Sequence, residues 1–276
     1  MERTFEIIND IKCYSPKLAF SNDGFYADSF ELMYELESKN FWYISRNKIV
    51  QHLFAKYLGP ETNSSVLEIG CGTGYVIQGL SRFKNYKLAG AEIYLEGLKF
   101  AKKRLPDVEF MQMDASDMPF VEEYDAIGAF DVLEHIENDE LVMSNIYKSL
   151  KKGGCFFVTV PQYMFMWSDT DEIDCHKRRY SKKEILTKLN KCGFKVNYCT
   201  SFVFTLFPFM LISRFIKQDV KRRKKTLTVK EGYSELAMSP VLNYIFLKLM
   251  LIDEWLIKMG ISLPYGGSLV LVAKKQ

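Results

Sequence analysis

The chain has 276 residues, of which 48% are hydrophobic and 26% are charged. This composition is ordinary for a globular protein, and a chain of this length can bury a sizeable core without disulfides or metals. The formal net charge of +3 is too small to indicate a nucleic-acid partner.

The first residues, 1–10, mix polar and apolar side chains and lack the basic and apolar regions of a secretory signal. The six cysteines form no C-x-x-C pair and no zinc-like spacing, so we expect reduced thiols and a cytoplasmic protein. Apolar pairs recur along residues 46–58 at helical spacing, which predicts a helix there. We interpret residues 1–60 as an N-terminal helical lid.

From residue 66 onward, apolar runs alternate with helical patterns. The predicted strands cover residues 66–69, 87–93, 108–113, 126–130 and 155–160. Such a β-α-β order predicts a doubly wound α/β fold, with a mostly parallel sheet covered by helices on both faces. Residues 61–203 are the predicted core, and ligands should bind at the carboxyl ends of its strands.

Residues 204–264 are rich in leucine and aromatic side chains and are predicted to be a helical insertion; residues 265–276 are predicted to supply the last strand of the core. Within 202–225 an aromatic, apolar stretch comes directly before a cationic run. This is the composition of a helix at a membrane surface, so peripheral membrane contact is one interpretation. A cap over the active site and a dimer contact are the others, and the oligomeric state is left open.

The most informative segment is VLEIGCGTGYV, in which glycines follow a predicted strand at alternate positions, Gly70, Gly72 and Gly74. Alternate glycines let the backbone approach a ligand closely. The spacing differs from the G-x-G-x-x-G of dinucleotide-binding proteins. The segment resembles the first motif of the class I S-adenosylmethionine-dependent methyltransferases, which implies a seven-stranded Rossmann-like fold.

The resemblance implies how the cofactor, S-adenosylmethionine (S-adenosylhomocysteine after the reaction), is bound. The glycines and Cys71 shape the pocket, and Glu68 supports the amino-acid end. Glu92, followed by Ile93, accepts hydrogen bonds from the ribose. Asp114 and the N–H of Ala115 face the adenine, while Phe130 and Asp131 line the pocket. Ahead of the core, Trp42 can contact the sulfonium through cation–π interaction, and Arg46 can pair with the carboxylate.

Three residues are candidates for catalysis. His135, in the segment LEHI, can act as a base near neutral pH or can position other groups. His176 and Tyr180, in HKRRY, precede a capping box formed by Ser181 and Glu184. Such residues are expected to face the substrate opening. No metal site is predicted from the sequence.

We therefore expect an enzyme that methylates an oxygen or carbon atom of a small molecule, sugar or lipid-like acceptor. The segment after the fourth strand reads Asp131-Val132-Leu133-Glu134 instead of Asn-Pro-Pro-aromatic, which argues against that kind of amino-group methylation. The alternatives are a non-catalytic S-adenosylmethionine-binding protein, an RNA methyltransferase and an NAD-dependent oxidoreductase. No RNA-binding module is recognisable, so a nucleic-acid substrate is disfavoured.

Overall fold

The computed structural model describes residues 4–20, 29–221 and 238–276, with side chains omitted for 215–221. A nine-stranded sheet forms the centre, and its strands lie in the order β1-β2-β5-β4-β3-β6-β7-β9-β8. The strands are β1 (Glu6–Ile8), β2 (Ile11–Cys13), β3 (Ser65–Ile69), β4 (Lys87–Glu92), β5 (Glu109–Gln112), β6 (Tyr124–Phe130), β7 (Leu150–Pro161), β8 (Phe194–Phe202) and β9 (Ser268–Lys275).

Strands β2 to β7 pair in parallel, whereas β9 lies antiparallel between β7 and β8. The helices are α1 (Ser29–Leu36), α2 (Phe41–Tyr57), α3 (Tyr75–Leu80), α4 (Leu95–Arg104), α5 (Asp139–Ser149), α6 (Asp169–Ile173), α7 (Lys182–Lys191), α8 (Phe207–Lys221) and α9 (Pro240–Lys258). The predicted doubly wound α/β architecture is thereby confirmed.

The seven strands from β3 to β9 correspond to the expected sheet. The structure has nine strands, two more than expected. The additional strands, β1 and β2, form a hairpin that pairs with the edge strand β5. Asn9 and Asp10 connect them with φ angles of 51° and 61°, the left-handed pair that a two-residue hairpin turn requires. The N-terminal segment is therefore partly β-structure and is not helical throughout.

Helix α2 begins earlier than the predicted residue 46 because Asn40 caps it. The Asn40 side chain accepts a hydrogen bond from the backbone N–H of Trp42 at 2.9 Å. Ser181 caps α7 as its sequence predicts, since its hydroxyl accepts from the N–H of Glu184 at 3.1 Å. The first cap places Trp42 and Arg46 inside a buried helix that crosses the carboxyl edge of the sheet.

Helix α9 packs against α2. Asn243 donates to the carbonyl of Lys39 at 2.7 Å and accepts from the N–H of Phe41 at 2.8 Å. The rings of Phe41 and Phe246 meet edge to face, with centroids 5.3 Å apart. This docking makes the helical region one wall of the cavity described below.

Within the described ranges, every helix is too short or too polar to cross a lipid bilayer. The cationic residues 222–225 and 230, which suggested membrane contact in the sequence, lie outside the described residues.

Candidate functional site

A cavity of about 790 Å³ opens at the carboxyl ends of the parallel strands. It lies where the strand order reverses between β3 and β6, the usual binding position in an open α/β sheet. Twelve of the thirteen residues that the sequence predicted for the cofactor line it: Trp42, Arg46, Glu68, Gly70, Cys71, Gly72, Glu92, Ile93, Asp114, Ala115, Phe130 and Asp131. Gly74, the thirteenth, starts α3 with a φ of 77°.

The glycine loop after β3 needs its glycines for two different reasons. Gly70 has a φ of 62°, and a Cβ there would lie 2.4 Å from Cγ2 of Val132. Gly72 has a φ of 50°, but a Cβ there would meet only the ring of Phe30, at 3.9 Å. Gly70 therefore permits the loop to pack on the chain after β6, whereas Gly72 leaves open space at the cavity wall.

Glu92 secures this loop from the end of β4. Its Oε2 atom accepts from the N–H of Gly72 at 3.0 Å, and its Oε1 atom accepts from the N–H groups of Ile93 and Tyr94 at 2.8 and 3.3 Å. Burial raises the pKa of Glu92 against the opposing effect of these three hydrogen bonds. A carboxylate has roughly four acceptor positions, so the side chain can accept one further donor from the cavity.

The buried Arg46 and the partly buried Asp131 form an ion pair in the cavity wall. The Asp131 carboxylate also accepts from the hydroxyl of Thr159 at 2.9 Å, and the guanidinium of Arg46 lies 4.6 Å from the centre of the Trp42 ring. Asp131 has a φ of 58°, so the backbone turns sharply there and directs the carboxylate toward Arg46.

One buried polar atom of Arg46 and one of Glu68 have no hydrogen-bond partner among the described residues. They are Nε of Arg46 and Oε2 of Glu68. Glu68 is 4% exposed, and burial raises its pKa well above the ordinary value. An unsatisfied buried donor and an unsatisfied buried acceptor in one cavity are groups that a zwitterionic ligand could satisfy.

Asp114 follows β5 and begins a short turn. Its Oδ1 atom accepts from the N–H of Ser116 at 2.8 Å, and its own N–H donates to the Ser15 hydroxyl at 3.1 Å. The carboxylate thus orients the turn that carries Ala115 into the cavity wall.

The candidate catalytic residues separate into two groups. His135 and His176 both line the cavity, with ring centroids 4.7 Å apart at 86°. Tyr180 is fully buried in the main core, and its hydroxyl donates to Asp139 at 2.6 Å. The structure therefore does not bring Tyr180 to the cavity with the histidines.

Asp171, on α6, organises the segment around His176. Its carboxylate contacts Nδ1 of His176 at 2.8 Å and accepts from Nε and Nη2 of Arg179 at 2.7 and 2.9 Å. Although burial acts to raise it, these hydrogen bonds lower the pKa of Asp171 below its usual range.

Sequence reasoning missed Glu37 and Glu134 as cavity residues. Glu37 is buried and pairs with Arg104 at 3.0 Å, and burial raises its pKa. Glu134 is fully buried, and burial raises its pKa well above the ordinary value. Glu134 precedes His135 in the segment LEHI. Its burial without a hydrogen-bond partner in the described part of the chain is visible only in the structure.

Comparison with known proteins identifies the domain. Residues 67–158 match the family described as Methyltransferase domain. A probable S-adenosylmethionine-dependent methyltransferase of Mycolicibacterium smegmatis is 25% identical over 167 residues, which cover 58% of this chain and 62% of that protein. A sterol 24-C-methyltransferase of Candida albicans is 30% identical over 176 residues, covering 54% of this chain and 44% of the relative.

Among solved structures, geranyl diphosphate C-methyltransferase from Streptomyces coelicolor A3(2) superposes with a TM-score of 0.55. The identity is 13%, over 82% of this chain and 78% of that one, so the likeness concerns the fold. The chain spans less than two thirds of the length of the two curated relatives described above. The matched segment, residues 67–158, is thus a methyltransferase domain, and these relatives confirm the resemblance to class I S-adenosylmethionine-dependent methyltransferases predicted from the sequence.

Proposed function

We propose that this protein transfers a methyl group from S-adenosylmethionine to an oxygen or carbon atom of an apolar, lipid-like acceptor. One observation carries the proposal. A single cavity joins the glycine loop and its unsatisfied polar atoms to an apolar wall that α8 and α9 supply.

The residues at the polar end fit the cofactor. When bound, S-adenosylmethionine supplies an electrophilic methyl group on a sulfonium. The unpartnered Oε2 of Glu68 can accept from an ammonium group, and the unpartnered Nε of Arg46 can donate to a carboxylate. Glu92 retains room for one hydrogen bond from a ribose hydroxyl, one fewer than the sequence suggested.

The remaining residues orient and enclose the cofactor. Asp114 holds the turn so that the N–H of Ala115 can meet the adenine edge. Trp42, with Arg46 stacked on it, presents an aromatic ring at the cavity wall, where it can attract a sulfonium and exclude water.

The acceptor side of the cavity is mainly apolar. Its wall includes five side chains from the region after β8: Val203, Leu206, Phe209, Met210 and Phe246. Burying apolar surface contributes roughly 25 cal/mol per Å², so such a wall favours a hydrocarbon-rich acceptor over a sugar. The curated relative named as a sterol methyltransferase is consistent with this class.

Radiolabelled methyl transfer to a panel of isoprenoid quinols, sterols, sugars and RNA tests the proposal. We expect turnover with a lipid-like acceptor. Met210→Asp, which places a charge on the apolar wall, should raise KM for that acceptor by at least tenfold while affinity for S-adenosylhomocysteine stays unchanged. The matched control is Ile212→Asp on the same helix, because Ile212 is 57% exposed and does not line the cavity.

Other outcomes would contradict the proposal. Transfer to RNA alone would favour the nucleic-acid alternative, and tight cofactor binding without transfer to any acceptor would favour a non-catalytic protein. An equal effect of both substitutions would show that the wall does not select the acceptor.

A lipid-like acceptor must also reach the cavity, and the outer face of α9 suits a lipid surface. Ile245, Ile252, Trp255 and Met259 are between 46% and 65% exposed and lie on one side of the helix. A soluble monomer seldom exposes apolar side chains so closely grouped. We therefore extend the prediction of peripheral membrane contact, made from the sequence for residues 202–225, to the outer face of α9.

Co-sedimentation with vesicles of phosphatidylcholine and phosphatidylglycerol measures this contact. Trp255→Glu should lower the vesicle-bound fraction at least threefold, because a carboxylate does not partition into the interface. Leu141→Glu, at an exposed apolar position on α5, is the control and should bind like the wild type. Undiminished binding of the α9 variant would disprove the assignment.

A further inference from the structure

Glu134, His135 and His176 form a cluster in the wall of the cavity that the cofactor residues do not use. One ligand atom of each residue lies within 4.8 Å of the other two. Nε2 of His176 is 4.0 Å from Oε1 of Glu134. Three potential ligands of these types, from two separate segments, converge on one point.

Glu134 supplies an independent sign that a ligand is missing. The residue is 0% exposed, and neither carboxylate oxygen has a hydrogen-bond partner among the described residues. A buried carboxylate with no hydrogen bond is costly unless a proton or a cation accompanies it. The Glu134 carboxylate lies next to two imidazoles, and a cation bound between them would compensate its charge.

His176 is already oriented as a metal ligand would be. Its Nδ1 atom lies 2.8 Å from the Asp171 carboxylate, which can only accept hydrogen bonds when ionised. This contact favours the tautomer with its proton at Nδ1, which leaves Nε2, 4.0 Å from Oε1 of Glu134, free to bind a metal ion. Metal-binding histidines are commonly fixed through a carboxylate in this way.

From this geometry we propose that Glu134, His135 and His176 bind a divalent transition-metal ion. Two imidazoles and one carboxylate form a donor set that binds Zn²⁺ and related ions in preference to Mg²⁺ or Ca²⁺. Bonds of about 2.0–2.2 Å place tetrahedral ligand atoms roughly 3.4 Å apart, so the three atoms would move together by about 1 Å on binding the ion.

Three protein ligands leave at least one coordination position open to the cavity. An oxygen of the acceptor, such as a hydroxyl or phenol, would occupy that position. Binding of the acceptor there depends on the proposed methyl transfer, whereas the metal site does not. The ion would then hold the acceptor oxygen and lower its pKa. The proposal departs from the expectation of no metal drawn from the sequence, where the two histidines are 41 residues apart.

Metal titration of the whole, chelator-stripped chain tests the site without any acceptor. We expect one equivalent of Co²⁺ to bind and give visible absorption bands, and Zn²⁺ to displace it. Glu134→Gln and His176→Ala should each weaken the affinity at least 30-fold. Asp171→Asn, which acts through His176, should weaken it about 10- to 100-fold.

The chain offers a matched control, because its third histidine, His52, lies on α2 and does not belong to the cluster. His52→Ala should bind Co²⁺ like the wild type. Circular dichroism checks that each variant is folded, and His135→Asn replaces any variant that is not.

Failure to bind a stoichiometric metal, binding that survives in both Glu134→Gln and His176→Ala, or a requirement for His52 would overturn the proposal. Binding of Mg²⁺ in preference to Zn²⁺ would do the same. Because the titration includes no acceptor, its outcome is separate from that of the methyl-transfer assay.

Discussion

Replacing Gly70 with alanine is expected to lower the affinity for S-adenosylhomocysteine by at least 100-fold in calorimetric titration. The methyl group would lie 2.4 Å from Cγ2 of Val132, at a residue whose φ is 62°. The left-handed backbone alone costs an L-residue about 1–2 kcal/mol, and the steric clash must displace either the loop or the segment after β6. Both movements disturb the cavity wall.

Gly72→Ala is the matched control for this experiment. It shares the positive φ, but its Cβ would meet only Phe30, at 3.9 Å. We expect a smaller loss of affinity, about tenfold, from backbone strain and from the methyl group at the cavity wall. Equal affinities of the two variants would show that packing against Val132 does not shape the binding loop.

Arg46→Leu is expected to have the second large effect. The substitution leaves the carboxylate of Asp131, whose side chain is 17% exposed, without its cation, and an unsatisfied polar group of this kind typically costs about 1–3 kcal/mol of unfolding free energy. Urea denaturation measures this loss. Binding of S-adenosylhomocysteine should fall below detection, because the donor proposed for its carboxylate is gone.

A double variant separates stability from binding. Arg46→Leu with Asp131→Asn removes both charges, so most of the lost unfolding free energy should return while ligand binding stays absent. The exposed Arg82, changed to leucine, is the control and should alter neither quantity. Recovery of binding in the double variant would contradict the role proposed for Arg46.

Much of the fold was predictable because both faces of the central strands are covered. Strands β3 to β7 carry nearly continuous apolar runs that stand out from the sequence, and each ends in a polar or glycine-containing segment. Since parallel strands end at one edge, those segments had to meet there. This reasoning located nearly all of the residues predicted for the cofactor in one cavity.

The remaining errors have local physical causes. The hairpin at residues 6–13 was missed because its strands are only three residues long, although Asn9-Asp10 is a recognisable turn sequence. Strand β7 begins at Leu150, before the predicted residue 155, although Gly153, with a φ of 79°, is the residue type that commonly ends a helix. Tyr180 was misplaced because its buried partner, Asp139, is 41 residues away.

The sequence also does not show which side chains lie next to Arg46 and Glu134. Arg46 was predicted to pair with the carboxylate of the cofactor. In the structure it already pairs with Asp131, whose backbone is left-handed. The convergence of Glu134 with His176 depends on how α6 lies against the turn after β6. Such contacts between distant segments follow from tertiary packing and leave no periodic signal.

The position of β9 bears on synthesis in the cell. Ser268–Lys275 pairs with β7 on one side and with β8 on the other, and Gly267 and Ser268 line the cavity. Until these residues leave the ribosome, the nascent chain exposes the unpaired edges of two strands, which are sites of aggregation. Strand β9 therefore inserts between two strands that are synthesised before it, and the cavity wall at Gly267 and Ser268 is complete only once it has done so.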